Sequence, residues 1–68
     1  MIFDKPLADY GDLMTIAEFL EHVESGLFTD DDGMGSAVKD GLRGEEYIYP
    51  SSLDSIPPDV THIQWFNK

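Results

Sequence analysis

Thr15-Ile16-Ala17-Glu18-Phe19-Leu20-Glu21-His22-Val23-Glu24-Ser25-Gly26-Leu27 carries the clearest period in the chain. Ile16, Phe19, Leu20, Val23 and Leu27 recur at i, i+3, i+4, i+7 and i+11, the spacing of one apolar stripe on a 3.6-residue helix. Thr15 followed three residues later by Glu18 has the form of a capping box. In that motif the hydroxyl accepts from a free helix amide and the carboxylate reaches back to the cap residue. Gly26 suits the left-handed residue that closes a helix, and Leu27 is then the apolar residue expected to fold back on the last turn. Away from the stripe, Glu18, Glu21 and Glu24 recur every third position, so neighbouring carboxylates lie ~5–6 Å apart as an acidic ridge. His22 reads as a solvated member of the same outer side.

Downstream, Leu27 to Asp31 leads into Asp32-Gly33, and Asp-Gly is a strong two-residue hairpin signal because both central positions need positive φ. That turn would set Asp31 opposite Met34, Thr29 opposite Ser36 and Phe28 opposite Ala37. Asp40-Gly41-Leu42-Arg43-Gly44 is rich in turn formers, and Glu45-Glu46-Tyr47-Ile48-Tyr49 has the aromatic and β-branched character of a further strand. Pro50 to Asp59 holds three prolines and reads as a loop plugged into the core by Leu53 and Ile56. Val60 to Asn67 is the final strand, with Ile63 and Trp65 on one face and His62, Gln64 and Phe66 on the other. Met1 to Asp12 has no period and reads as a short strand or extended arm. The expected fold is α+β, a single domain over residues 1–68. One amphipathic helix packs on a three- to four-stranded antiparallel sheet, with Phe19, Leu20, Val23, Phe28, Ile48, Ile63 and Trp65 inside.

Sixty-eight residues leave room for one core of modest stability. Cysteine is absent, which removes disulfides, thiolate metal sites and thiol nucleophiles. No segment approaches the ~20 apolar residues that span a bilayer, and the N-terminus lacks the basic and apolar stretches of a leader. The chain is therefore expected to be neither exported nor embedded.

Fourteen acids against four Lys and Arg give a formal charge of -10. Direct nucleic-acid binding needs cations to displace counterions from phosphate, and this composition opposes it. The same field attracts basic protein surfaces. Asp30-Asp31-Asp32-Gly33-Met34-Gly35 resembles the start of a calcium loop, but Met34 falls at the fifth position and Gly41 at the twelfth, where oxygen ligands are needed. His22 and His62 have no zinc spacing. Ser51, Ser52 and Ser55 lack a base and an orienting acid in any recognisable pattern. Gly33 and Gly35 fit no phosphate cradle. The reading is a binding protein that is not an enzyme, with no metal or cofactor.

Carboxylates at regular spacing can imitate a phosphate string, in which one strand carries a charge every ~3.4 Å of axis. The expected partner-binding residues are Glu18, Glu21 and Glu24 on the helix, Asp30, Asp31 and Asp32 at the hairpin tip, and Glu45 with Glu46. In size, acidity, lack of cysteine and α+β layout the chain resembles the small inhibitors that phages and other mobile elements direct against host defence, anti-CRISPR proteins among them. Phe28-Thr29-Asp30-Asp31-Asp32-Gly33-Met34-Gly35 and Thr61-His62-Ile63-Gln64-Trp65-Phe66-Asn67 are similar to stretches of short phage and prophage proteins. The resemblance implies a protein of the host cytoplasm, monomer or homodimer, that blocks nucleic acid from a nuclease effector or its recognition subunit. Two other readings stand beside it. One is an immunity or antitoxin partner of a basic toxin; the other is an accessory domain that homodimerises through Trp65, Phe66, Tyr47 and Tyr49.

Overall fold

A computed structural model describes all residues, 1–68. In chain order the elements are β1 (Phe3–Pro6), β2 (Asp12–Thr15), α1 (Ile16–Glu24), β3 (Gly33–Lys39), β4 (Leu42–Ile48), a 3-10 segment (Pro50–Ser55) and β5 (His62–Asn67). The strands form one sheet in the order β1-β4-β3-β5-β2, and every neighbouring pair is antiparallel. The expected helix-on-sheet arrangement is present, with five strands where three or four were anticipated. The additional strands come from the N-terminal stretch, which supplies both sheet edges. A four-residue edge strand is too short to display a period of two, so nothing in its sequence announces it.

Helix α1 begins and ends as its sequence indicates. The Thr15 hydroxyl accepts from the Glu18 amide at 3.2 Å, and the Thr15 amide donates to the Glu18 carboxylate at 3.3 Å. Ser25 is the C-cap, and Gly26 follows at φ +82°. The Leu27 amide then donates to the His22 carbonyl and the Gly26 amide to that of Val23, which is the double bond of a Schellman closure. The side chains depart from expectation. Leu27 is 59% exposed and Leu20 39%, while His22 is half-buried with its ring 5.0 Å from Phe28. Phe28, one residue later, is the group that returns to the core: its amide also donates to the His22 carbonyl, and its ring stacks on Trp65 at 4.2 Å.

That return removes the expected hairpin at Asp32-Gly33. Residues 27–31 follow the helix closure and turn instead of forming a strand, and the Asp32 carboxylate accepts from the Thr29 amide and hydroxyl. Gly33 opens β3 opposite Asn67, where a Cβ would collide with the Phe66 carbonyl. Close backbone approach, not positive φ, is what requires glycine there. The tight hairpin forms at the other Asp-Gly pair. Asp40 at φ +54° and Gly41 at φ +78° join Lys39 to Leu42, as a primed turn requires. That turn starts β4 at Leu42, earlier than the sequence suggested, and a register shift follows between Ser36 and Val38.

Met14, Phe19, Ala37, Ile48, Val60, Ile63 and Trp65 form the buried core, with Ile16, Val23, Phe28, Leu53 and Ile56 packed around it. Leu53 and Ile56 bring the proline-rich segment inward as expected, although Pro50–Ser55 is 3-10 helix and not simple loop.

The second face of the sheet is also covered. Gln64 and Ser36 pair across β5 and β3, and both are buried. The link Leu7–Gly11 joins β1 at one edge to β2 at the other, crossing four strand gaps of ~4.8 Å each. At ~3.5 Å per residue such a link spans roughly 20 Å, so it runs nearly extended as a strap. Gln64 holds it at both ends of its amide: Oε1 accepts from the Ala8 amide at 3.1 Å and Nε2 donates to the Ala8 carbonyl at 2.9 Å. Ser36 Oγ beneath has no hydrogen-bond partner.

Two substitutions test this account of the second face. Gln64→Leu leaves the Ala8 amide and carbonyl unpaired and should cost about 1–3 kcal/mol in urea denaturation, with faster hydrogen exchange at Ala8. Ser36→Ala removes an orphaned hydroxyl and should leave the melting temperature unchanged or raise it. A lower melting temperature would show that the hydroxyl has a partner in solution.

Candidate acidic interface

The carboxylates are distributed by the course of the chain over the sheet. Helix α1 starts where Thr15 pairs with His62, lies against β2 and β5, and delivers Phe28 to Trp65. Glu18, Glu21 and Glu24 are exposed along it, and at ~1.5 Å per residue the ridge extends ~9 Å toward the far end of the sheet. Glu18 is also held locally, since its carboxylate accepts from the Thr15 hydroxyl at 3.1 Å.

At that far end stands the turn that follows Phe28. Its three acids differ in role. Asp30 is partly buried and accepts from both the amide and the hydroxyl of Ser51, tying the turn to the first residues of the 3-10 segment. Asp32 closes the turn onto Thr29, and its carbonyl accepts from the Lys68 amide at 2.8 Å. Asp31 stands exposed between them. The trio therefore sits on a structured turn and not at a hairpin tip, and Asp31 is the exposed member whose carboxylate makes no hydrogen bond within the fold.

Glu45 and Glu46 are exposed on β4, inside its register shift and separated from β5 by β3. The fold brings the C-terminal end of the helix ridge and the Asp30–Asp32 turn to one end of the molecule and leaves Glu45 and Glu46 on the other half of the sheet. It adds two acids that sequence reading did not single out. Asp9 lies in the strap just before Tyr10, and Asp12 opens β2 opposite Trp65; both are exposed. Their stretch has no period, so no sequence signal placed them.

Two of the four cations are engaged within the fold. Lys39 pairs with Asp59 at 2.8 Å, and the Arg43 Nε donates to the Pro6 carbonyl at 2.8 Å with its guanidinium 5.6 Å from the Phe66 ring. The hydrogen bond from Lys39, with a backbone hydrogen bond after it, holds the Asp59 carboxyl below its ordinary value, and the same side-chain bond raises Lys39.

No group of three or more His, Asp or Glu side chains converges as metal ligands would, and the surface carries no pocket. His62 Nδ1 lies 2.8 Å from the Thr61 hydroxyl. The Ser51 hydroxyl donates to Asp30 and that of Ser55 to the Ser52 carbonyl. Of the aromatics considered for homodimerisation, Trp65 is 1% exposed in the core and Phe66 is half-buried beneath the strap, while Tyr47 and Tyr49 are exposed. No helix is long and apolar enough to cross a membrane. No known protein family, curated protein or solved structure matches the chain.

The unequal roles of the turn acids are open to measurement. Asp30→Ala should destabilise by about 1–2 kcal/mol, the range for losing a capping acid, whereas Asp31→Ala should stay within about 0.5 kcal/mol of wild type. Equal effects in chemical denaturation would contradict the assignment. For the Lys39–Asp59 pair the sign follows from the lowered carboxyl. Its contribution is present above the ordinary aspartate range and is lost as pH falls through the Asp59 value. Asp59→Asn should thus lower the melting temperature at neutral pH and match wild type in strong acid.

Proposed function

We propose that this protein works by binding, and that its target is the basic surface of a nucleic-acid-binding or nuclease protein of host defence. Its carboxylates occupy the places that phosphates take. The observation that carries this reading is the line of exposed acids from Glu18 through Glu21 and Glu24 toward Asp31, on a chain of formal charge -10 whose cations Lys39 and Arg43 are engaged within the fold.

The physics supports such a target in two ways. Carboxylates make charge-assisted hydrogen bonds to Lys and Arg that are roughly twice as strong as neutral ones, as phosphate oxygens do. A strongly negative field also raises the encounter rate with a basic surface and makes it dependent on salt. The ridge advances ~4.5 Å along the helix axis per acid, of the same order as the ~3.4 Å per charge on one nucleic-acid strand. Short, exposed elements carry these acids, which suits entry into a groove built for a duplex. The assignment to a phage or mobile-element inhibitor of the anti-CRISPR kind rests on the resemblance in size, charge and layout.

The experiment has two stages. Immobilised protein is exposed to host lysate at low and high salt, and the retained nuclease or recognition subunit is purified. Displacement of labelled nucleic acid from that subunit is then measured. Wild type should displace it. Glu18→Lys, Glu21→Lys and Glu24→Lys together should weaken displacement by at least about tenfold; all three side chains are exposed, but Glu18→Lys also removes the carboxylate of the capping box, so circular dichroism must show that the helix persists. If this triple variant and Asp31→Lys both displace as well as wild type, phosphate mimicry through these residues is wrong.

A further inference from the structure

The strap presents an aromatic residue outward. Tyr10 is 75% exposed, although its ring rests on Phe66 with centroids 5.2 Å apart. The backbone on either side of it is held. Ala8 is bound at both its amide and its carbonyl by Gln64. Gly11, at φ +117°, lies so close to the Phe66 ring and the Gln64 side chain that a Cβ would not fit. Tyr10 is thus fixed in place with much of its ring in solvent. A tyrosine displayed in this way offers a large amphipathic surface at little entropic cost, because only two side-chain torsions remain to be ordered. Leu13, 51% exposed, pairs directly across from Gln64 and so stands on the same face.

The surroundings define the chemistry of a partner. Asp12 opens β2 opposite Trp65, Gly33 opens β3 opposite Asn67, and the Lys68 amide donates to the Asp32 carbonyl. Asp12, Asp31 and Asp32 therefore lie at the end of the sheet at which Tyr10 meets Phe66, Asp12 on the helix side with Trp65, and the exposed Asp9 adjoins Tyr10 on the strap itself. Lys68 is the one cation whose backbone lies there, while Arg43 reaches the Phe66 ring from β4. An exposed aromatic ring next to a carboxylate in the chain, at an acid-rich end of the molecule, complements a planar cation. Guanidinium stacks on aromatic rings, binds carboxylates through paired N–H groups and is more weakly hydrated than ammonium.

We infer that Tyr10 is the docking point for an arginine side chain of a basic partner protein, the guanidinium lying on the outer ring face while nearby carboxylates such as Asp9 accept its N–H groups. This rests on the reading that the target is a basic protein surface. It adds a contact outside the helix ridge and a preference for arginine over lysine.

The test uses the full chain, isotope-labelled, titrated with hexa-arginine and hexa-lysine peptides at low and moderate salt and followed by NMR and calorimetry. Hexa-arginine should shift the Tyr10, Gly11 and Leu13 resonances and bind about two- to fivefold tighter than hexa-lysine, the range of an exposed cation–π contact. Tyr10→Ala should erase that preference and leave weaker, salt-dependent binding of both peptides; Tyr10→Phe should keep it. In the triple helix variant, Glu18, Glu21 and Glu24 to Lys, both peptides should weaken together with the preference intact. Equal affinities for the two peptides in wild type, absence of binding, or a preference that survives Tyr10→Ala would overturn the inference. So would a preference lost only in the helix variant. The nucleic-acid displacement assay is separate, so failure there leaves a Tyr10-dependent arginine preference standing, and the reverse also holds.

Discussion

The stack of Phe28 on Trp65, 4.2 Å between centroids and 9° between planes, is the contact on which the rest of the layout turns. Trp65 faces inward from β5, an interior strand next to the β2 edge, and Phe28 is the residue beyond the helix closure that reaches it. Phe19 completes the group at 5.9 Å from Trp65. Aromatic pairs of this kind contribute about 0.5–1.5 kcal/mol beyond the area they bury, a large share for so small a core. Once Phe28 is held there, α1, already closed at Gly26, must lie over β5, and the next residues must turn instead of extending. The Asp30–Asp32 turn is therefore a consequence of the stack.

Gln64 plays the corresponding part on the opposite face. Burying a primary amide is costly unless its donors and acceptors are met, and the Ala8 backbone meets both kinds. The edge-to-edge link is thereby fixed against a face that would otherwise be open. The side chains of Gln64 and Phe66 that receive the strap leave no room for a Cβ at Gly11, so packing on this face and the display of Tyr10 have one cause. With both faces of the sheet covered, the surface combines acids with separate exposed apolar side chains, Ile2, Tyr10, Leu13, Leu27 and Tyr47 among them.

Charge acts on a different scale from these contacts. The turn acids show the difference: Asp30 and Asp32 serve the fold through specific hydrogen bonds, and Asp31 serves only the field. A count of acids cannot separate the two. Binding of the proposed kind draws on both, because the field brings a basic partner close, and fixed groups such as the capped helix ridge and the strap determine how it sits.

Local chemistry in the sequence determined the helix and its limits. Thr15, Glu18, Gly26 and the 3.6-residue stripe act within a few residues of one another, so their meaning does not depend on the rest of the chain. The facing of β5 was equally legible, because alternation along a strand is local. Tertiary structure decided which of two Asp-Gly pairs became the hairpin, since Asp32-Gly33 lost its strand when Phe28 was drawn to Trp65. It decided that Phe28 and not Leu27 returned to the core, and that the aperiodic N-terminus became two edge strands joined by a strap. It also decided which carboxylates share a surface: the helix ridge leads toward the turn, Asp9 and Asp12 join that end, and Glu45 and Glu46 stand apart. Side-chain type and spacing are properties of the chain, but proximity between distant residues exists only after strand order and register are set.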